Sequence, residues 1–381
     1  MDIKMKKRLC IYVTYDSENV IDDYIGYMLQ EIKKVCASLV VVCNSESISQ
    51  GMSNLQKYAD KIFFRKNIGF DAGAYKDTLC RYLGWDEVYQ YDELILANDS
   101  FYGPFSPIED VFWKMEQDGA DYWGMTRSFS GIYESGEVSF PSHIQSYFLC
   151  FSKAVLHCTE FREFWEKFLY PQNMSLAVFS YEVGLNQYIS NLGFRGAALT
   201  DFSELSYIKE NENPYLLYPV ELICLSHVPI LKRKSLDLGN PGFRKALEAY
   251  EYIKKETAYD TIMIQNHLLR ISQSVANQGM ISFPDLEKFY HSHSKIFIYG
   301  SGIYGNNLAF LFEYFGWTFD GFLVTDSDGQ DSKCFIFKET VIEPDDGIIL
   351  AVGKKELFME ILDNIGTRCS REQLLFPNYF I

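Results

Sequence analysis

Residues 92–105 read DELILANDSFYGPF. Leu94, Ile95, Leu96 and Ala97 form an apolar run of the length of one buried strand. It breaks at once into Asn98-Asp99-Ser100, two aromatics, a glycine and a proline. An amide, a carboxylate and a hydroxyl at a strand tip allow two readings. One is an Asx-turn into FYGP. The other is a polar site at the carboxyl edge of a sheet, and the choice turns on the flanking segments.

Those segments alternate. RLCIYVTYD (8–16), ASLVVVCNS (37–45) and KIFFRKN (61–67) are strand-like, and VIDDYIGYMLQEIKKV (20–35) and SPIEDVFWKMEQDG (106–119) are helix-like. IGFDAGAYKDTLCRYLG is a glycine-punctuated turn opening a helix, and DYWGMTRS and IQSYFLCFSK are further strands. This is the pattern of an α/β sheet. Residues 156–200 read as mainly helical, and 242–273 as a pair of helices. A fresh strand–glycine turn–helix–strand unit starts at SKIFIYGSGIYGNN (294–307). The expected domains are residues 1–234, a helical extension or linker at 235–290, and a small C-terminal α/β domain at 291–381.

The 381 residues, 48% apolar and 16% aromatic, describe a well-packed chain. A formal charge of −16 argues against nucleic acid as a partner. An anionic substrate would need a local positive site or a bound cation. The nine cysteines show neither CxxC nor CxxH spacing, which fits reduced thiols in the cytoplasm. The first apolar run is too short for a signal peptide or a membrane span. Attachment at the inner membrane surface stays open.

Sheets of this kind bind ligands at strand carboxyl ends. Four such ends are polar here: Thr14-Tyr15-Asp16, Arg65-Lys66-Asn67, Asn98-Asp99-Ser100 and Thr126-Arg127. Asp99 is placed to hold a divalent cation, Mg²⁺ or Mn²⁺, bridging the two phosphates of a nucleotide sugar. Gly69 and Gly73 permit close backbone approach, and Asp71 accepts from a ribose or base, or else caps a helix. His143, Gln145 and Ser146 precede an apolar strand and suit either a site or a strand-start cap. Glu182 heads a helix, as a base toward an acceptor hydroxyl or as a partner of the helix dipole. His227 precedes Lys232-Arg233-Lys234, a basic cluster that suits a diphosphate, an anionic lipid surface or plain solvation.

NIGFDAGAYK, ELILANDSFYGPF, DYWGMTRS, HIQSYFLCFSK, FREFWEKF and YEVGLNQ occur in the order seen in the rhamnan synthesis protein F family. The chain resembles these bacterial surface-polysaccharide glycosyltransferases over about residues 8 to 270. The resemblance implies a GT-A-like nucleotide-sugar fold. It also implies inverting transfer of L-rhamnose, or a related sugar, from a dTDP-sugar to a glycan or lipid-linked saccharide. Asp99 would stand at the metal-binding aspartate of the DxD motif, which here is Asn98-Asp99-Ser100 with one acid. Asp71 and Gly73 would lie beside the nucleoside, Glu182 would be the acceptor-side base, and His227 a second metal or diphosphate contact.

In the C-terminal segment Gly300, Gly302 and Gly305 form GxGxxG between a strand and a helix. Asp326 ends the next strand at about the distance of a ribose-binding acid. The segment resembles the small Rossmann-like domains appended to sugar-modifying enzymes. It suits NAD, another nucleotide, or a docking role. Two other functions are compatible with the sequence. One is an NAD-dependent sugar-nucleotide oxidoreductase, and the other a non-catalytic sugar-nucleotide-binding protein of glycan assembly.

Overall fold

The computed structural model describes residues 6–129, 131–132, 139–201, 213–273, 281–326, 333–353 and 355–376. The chain divides into two units: residues 1–233 with 249–263, and residues 234–248 with 264–381.

The first unit is built on a sheet whose central strands have apolar, buried middles. Its strands are β1 (Arg8–Thr14), β2 (Ser38–Cys43), β3 (Lys61–Phe64) and β4 (Glu93–Asn98). After the short β5 (Phe101–Tyr102) come β6 (Tyr122–Ser128), β7 (Gly131–Ile132), β8 (Ser139–Phe140), β9 (His143–Ile144), β10 (Phe148–Ser152) and β11 (Gly196–Thr200). The order across the sheet is β11-β6-β10-β4-β1-β2-β3, with β9 paired beside β6. β1 runs parallel to β2 and β4, and β2 to β3; β10 is antiparallel to both β4 and β6. All seven residues of β1 are buried, as a strand covered on both faces requires.

Leu9, Ile11 and Val13 join Val40, Val42, Leu94 and Leu96 in one core under Tyr75, Phe161 and Trp165. Cys10 and Tyr12 alternate with them and are buried as well. The helices Asp23–Val35, Phe70–Asp77, Ile108–Asp118 and Thr159–Lys167 fall where the periodicity places them. The stretch 156–200 is less helical than expected, because Gly196–Thr200 is a strand paired in parallel with β6. The short β12 (Leu231–Lys232) pairs with β5, Leu231 opposite Tyr102 and Lys232 opposite Phe101.

The second unit holds β13 (Lys295–Tyr299), β14 (Gly321–Val324), β15 (Cys334–Ile336), β16 (Asp346–Leu350) and β17 (Leu374–Leu375). They form one parallel sheet ordered β15-β14-β13-β16-β17. Ile296 and Ile298 face one core and Phe297 and Tyr299 another, so both faces are covered. Gly300 has φ of +110°, and a Cβ on Gly305 would lie 1.8 Å from the Gly300 carbonyl oxygen. Glycine is required at both, to turn the chain and to seat the helix Ile303–Tyr314 against the strand. No helix among the described residues is long and apolar enough to cross a membrane.

Candidate functional site

Because β1, β2, β3, β4 and β6 run the same way, their carboxyl ends share one edge. Thr14, Asn44, Arg65, Asn98 and Thr126 lie along it. At its centre is Asp99. Its Oδ2 accepts from the Thr14 hydroxyl at 2.9 Å and from the Tyr15 amide at 3.1 Å. Arg233 brings Nη1 to 3.7 Å from the same oxygen and donates at 3.1 Å to the Asp99 carbonyl and at 2.9 Å to the Tyr24 hydroxyl. Burial raises the Asp99 carboxyl, and Arg233 and the two donors pull it back without cancelling the rise.

Asn98 and Ser100 complete this loop. Asn98 Oδ1 accepts from the Ser100 amide and hydroxyl, at 3.2 and 2.6 Å, and its Nδ2 donates to Asp71 Oδ2 at 2.8 Å. Lys232 Nζ donates to Ser100 Oγ at 2.7 Å and sits 4.3 Å from the Tyr147 ring centroid. The β5–β12 pairing causes this placement, since the Arg233 amide also bonds the Ser100 carbonyl. Burial raises the Asp71 carboxyl; Asn98 and the Ala72 amide oppose the rise.

A second cluster adjoins the first. Glu182, in a π-helical turn (Val178–Val183), has both oxygens engaged. Oε1 lies 3.2 Å from His143 Nε2, and Oε2 accepts from the Ser146 amide at 2.8 Å and hydroxyl at 2.6 Å. Burial works against the charge of Glu182, but His143 and Ser146 win and hold it at about 2. His143 is raised, although burial lowers it, because Glu182 favours the imidazolium. Its Nδ1 lies 3.0 Å from the Pro141 carbonyl, so both ring nitrogens are used. Gln145 accepts from Thr126 Oγ1 at 2.7 Å. A carboxylate at about 2 is a weak proton acceptor at neutral pH, which counts against the expectation that Glu182 is the base.

The side chains of the other expected residues make none of these hydrogen bonds. Arg65 is buried and spent internally, donating to Asp77, Asn44 and the Ile68 carbonyl at 2.9, 2.5 and 2.7 Å. This clasp sets the bend that Gly69 (φ +75°), Phe70 (φ +56°) and Gly73 follow. Asp16 caps its own turn through the amides of Glu18 and Val20. Tyr15 and Asn67 are exposed. His227 is exposed with φ of +54°. Gly302 has open space where a Cβ would be, and Asp326 is exposed two residues past the end of β14. Residues 327–332, next to Asp326, lie outside the described residues, and nothing in the geometry adds support for NAD.

Sequence reasoning missed Tyr24, Asn44 and Tyr147. Asn44 ends the LVVVC run just as Asn98 ends LILA, so that signal was present. Tyr24 and Tyr147 meet the basic pair only through folding, and they also bond the Asp99 carbonyl and the Thr126 hydroxyl.

The expected cation can be weighed against these donors. Among the described residues no group of three or more His, Cys, Asp or Glu side chains is placed to hold a metal. The amide of Asn98 is used on both atoms, and Asp99 Oδ2 already faces an arginine. This donor set does not fit a resident divalent cation.

The sequence profile of the family described as rhamnan synthesis protein F matches residues 39–341. Virulence protein VirA of Vibrio anguillarum is 26% identical over 261 residues, covering 67% of this chain and 80% of its own. Uncharacterized protein y4gN of Sinorhizobium fredii is 23% identical over 188 residues, 49% of this chain and 46% of its own. Among solved structures, 4-diphosphocytidyl-2C-methyl-D-erythritol synthase from Anaerococcus prevotii covers 58% of this chain and 97% of its own, at 13% identity and a TM-score of 0.32. Core-mannan synthase A from Aspergillus fumigatus, in an Mn/GDP form, covers 46% and 69%, at 9% identity and a TM-score of 0.26. Both superpositions are loose.

Proposed function

Because the chain belongs to the rhamnan synthesis protein F family, we propose that it is a glycosyltransferase of polysaccharide assembly that moves a sugar from a nucleotide donor to a glycan acceptor. The observation that carries this reading is the basic pair Lys232-Arg233, bonded to the Asn98-Asp99-Ser100 loop at the carboxyl edge of the sheet in a chain of charge −16. A diphosphate is the ligand that such a pair suits. The fold of the first unit is read as GT-A-like. The donor is a dTDP-sugar, L-rhamnose in the first instance, as the family's name suggests.

The reaction is a displacement with inversion. The acceptor oxygen forms a bond to the anomeric carbon as the bond to the diphosphate breaks; the electron pair leaves with the diphosphate and the acceptor proton goes to a carboxylate. Two carboxylates with oppositely shifted pKa values stand near one another, Asp71 raised and Glu182 lowered to about 2. The raised one is the better proton acceptor at neutral pH. Asp71 takes this role in our reading, while Glu182 holds His143 and the Ser146 loop in position.

The second unit, with strand order 3-2-1-4-5 and glycines 300, 302 and 305, is read as a Rossmann-like accessory domain. The work would take place at the cytoplasmic face of a membrane, where lipid-linked acceptors are extended.

The test is transfer by the purified chain from dTDP-rhamnose, and from UDP- and GDP-sugars, to a rhamnan oligosaccharide acceptor. Turnover with one nucleotide class names the donor. No turnover with any of them, together with no binding of any of the nucleotides, removes the reading.

A further inference from the structure

A nucleotide-sugar transferase must offset the charge that develops on the departing diphosphate. A metal held by paired carboxylates does this in one way. This chain places different chemistry at that point. Its loop carries one acid where two would be needed, and the remaining positions hold an amide and a hydroxyl already committed to one another.

Two cations stand over that loop, and both are fixed. Lys232 Nζ is held by the Ser100 hydroxyl at 2.7 Å and by the Tyr147 ring. Arg233 Nη1 is held by the Asp99 carbonyl and the Tyr24 hydroxyl at 3.1 and 2.9 Å. The Lys232 backbone is paired with β5, and the Arg233 amide donates to the Ser100 carbonyl. Asp16, Asp71 and Asp99 lie within electrostatic reach of the pair and keep two positive charges together in an acidic chain. Cations fixed before the ligand arrives cost little reorganisation when charge develops. An arginine fork and a lysine ammonium both bind phosphate oxygens.

We propose that Lys232 and Arg233 do for the leaving diphosphate what a divalent cation does at a paired-carboxylate site, so that this chain binds diphosphates and releases them without Mg²⁺ or Mn²⁺. The inference rests on the nucleotide-sugar reading above and deepens it. Lys232 is the direct contact. Arg233 both contacts the diphosphate and neutralises Asp99, which would otherwise repel it.

The experiment is calorimetric titration of the full chain with inorganic pyrophosphate and with dTDP, once in EDTA and once in Mg²⁺. The expected dissociation constants agree within about threefold between the two buffers, and Lys232→Met weakens both ligands roughly 10- to 100-fold. Lys232→Arg restores most of that loss, which a variant damaged in folding would not do. Binding that requires Mg²⁺, or full affinity in a folded Lys232→Met variant, overturns the inference. Sugar transfer that proceeds only with the metal overturns it too, while leaving the glycosyltransferase reading intact. Failure of pyrophosphate and dTDP to bind in either buffer overturns the inference, and takes the nucleotide-sugar reading with it if UDP and GDP also fail.

Discussion

Arg233 and Asp99 stand 134 residues apart in sequence and meet at two points: Nη1 of the arginine donates to the aspartate's carbonyl oxygen at 3.1 Å and lies 3.7 Å from its carboxylate. The pair joins the start of the 3-10 turn Arg233–Leu236, just after β12, to the tip of β4. The Asp99 side chain is only 13% exposed, so removing the guanidinium leaves a largely desolvated carboxylate with the Thr14 hydroxyl and Tyr15 amide but without its cation. Arg233→Ala should therefore cost roughly 1–3 kcal/mol of stability. Arg233→Lys should recover part of it, keeping the charge but not the fork. Urea unfolding midpoints of the two variants, measured side by side, check both statements.

The Glu182–His143 contact makes stability depend on pH in two directions. Glu182 is held at about 2 against an ordinary value of 4.5, so its contribution is present above pH 4.5 and is lost as pH falls toward 2. His143 is raised, so its contribution is full below 6.5 and is lost as pH rises through its higher folded value. Stability should peak between those limits, with an acid-side loss of the order of 3 kcal/mol. In Glu182→Gln the acid-side slope should flatten. Denaturant midpoints from pH 3 to pH 8 read this directly, and an unchanged slope would refute the ion pair.

Asp71→Asn tests the assignment of the proton acceptor. Turnover should fall by about 10²- to 10⁴-fold while dTDP affinity stays within about threefold. Product release followed under saturating donor separates the two effects. Equal losses in affinity and turnover would return Asp71 to a binding role beside the nucleoside.

Gly73→Ala addresses the bend that carries Asp71. A Cβ there would come within 2.2 Å of the Ile68 carbonyl, the same oxygen that accepts from Arg65 at 2.7 Å. The substitution should cost roughly 1–3 kcal/mol through strain. Thermal unfolding reads the loss, and Gly353→Ala is the control, at a glycine without a positive φ where a Cβ would meet nothing within 4 Å.

Strands β1, β2 and β4 were legible because each is an apolar run bounded by polar residues, buried nearly throughout. Thr14, Asn98 and Thr126 fall on the shared edge for the same reason. What local pattern does not carry is pairing at a distance. Nothing in LKRK says that Lys232 lies opposite Phe101, because a two-residue strand has no period to read. Hence Lys232 and Arg233 could be named as a basic cluster without their partners, Ser100, Asp99 and Tyr24. Arg65 is the converse case. Its place after β3 suggested a ligand contact, but Asp77, twelve positions on, was close enough in space to claim it. Gly196–Thr200 read as helix because its pairing partner, Tyr122–Thr126, lies far away in sequence.

The ribbon of β5 and β12 is two strands wide and two residues long, while the sheet beside it is many strands broad. Phe101, Tyr102 and Leu231 are buried in it, but its ladder is short, so its amides should exchange through an opening smaller than the one that exposes the sheet's own amides. Each such opening would carry both cations away from Asp99 and return the loop to net negative charge. The proposed binding site should thus have a folding equilibrium of its own, weaker than that of its scaffold, and a bound anion would pull that equilibrium shut.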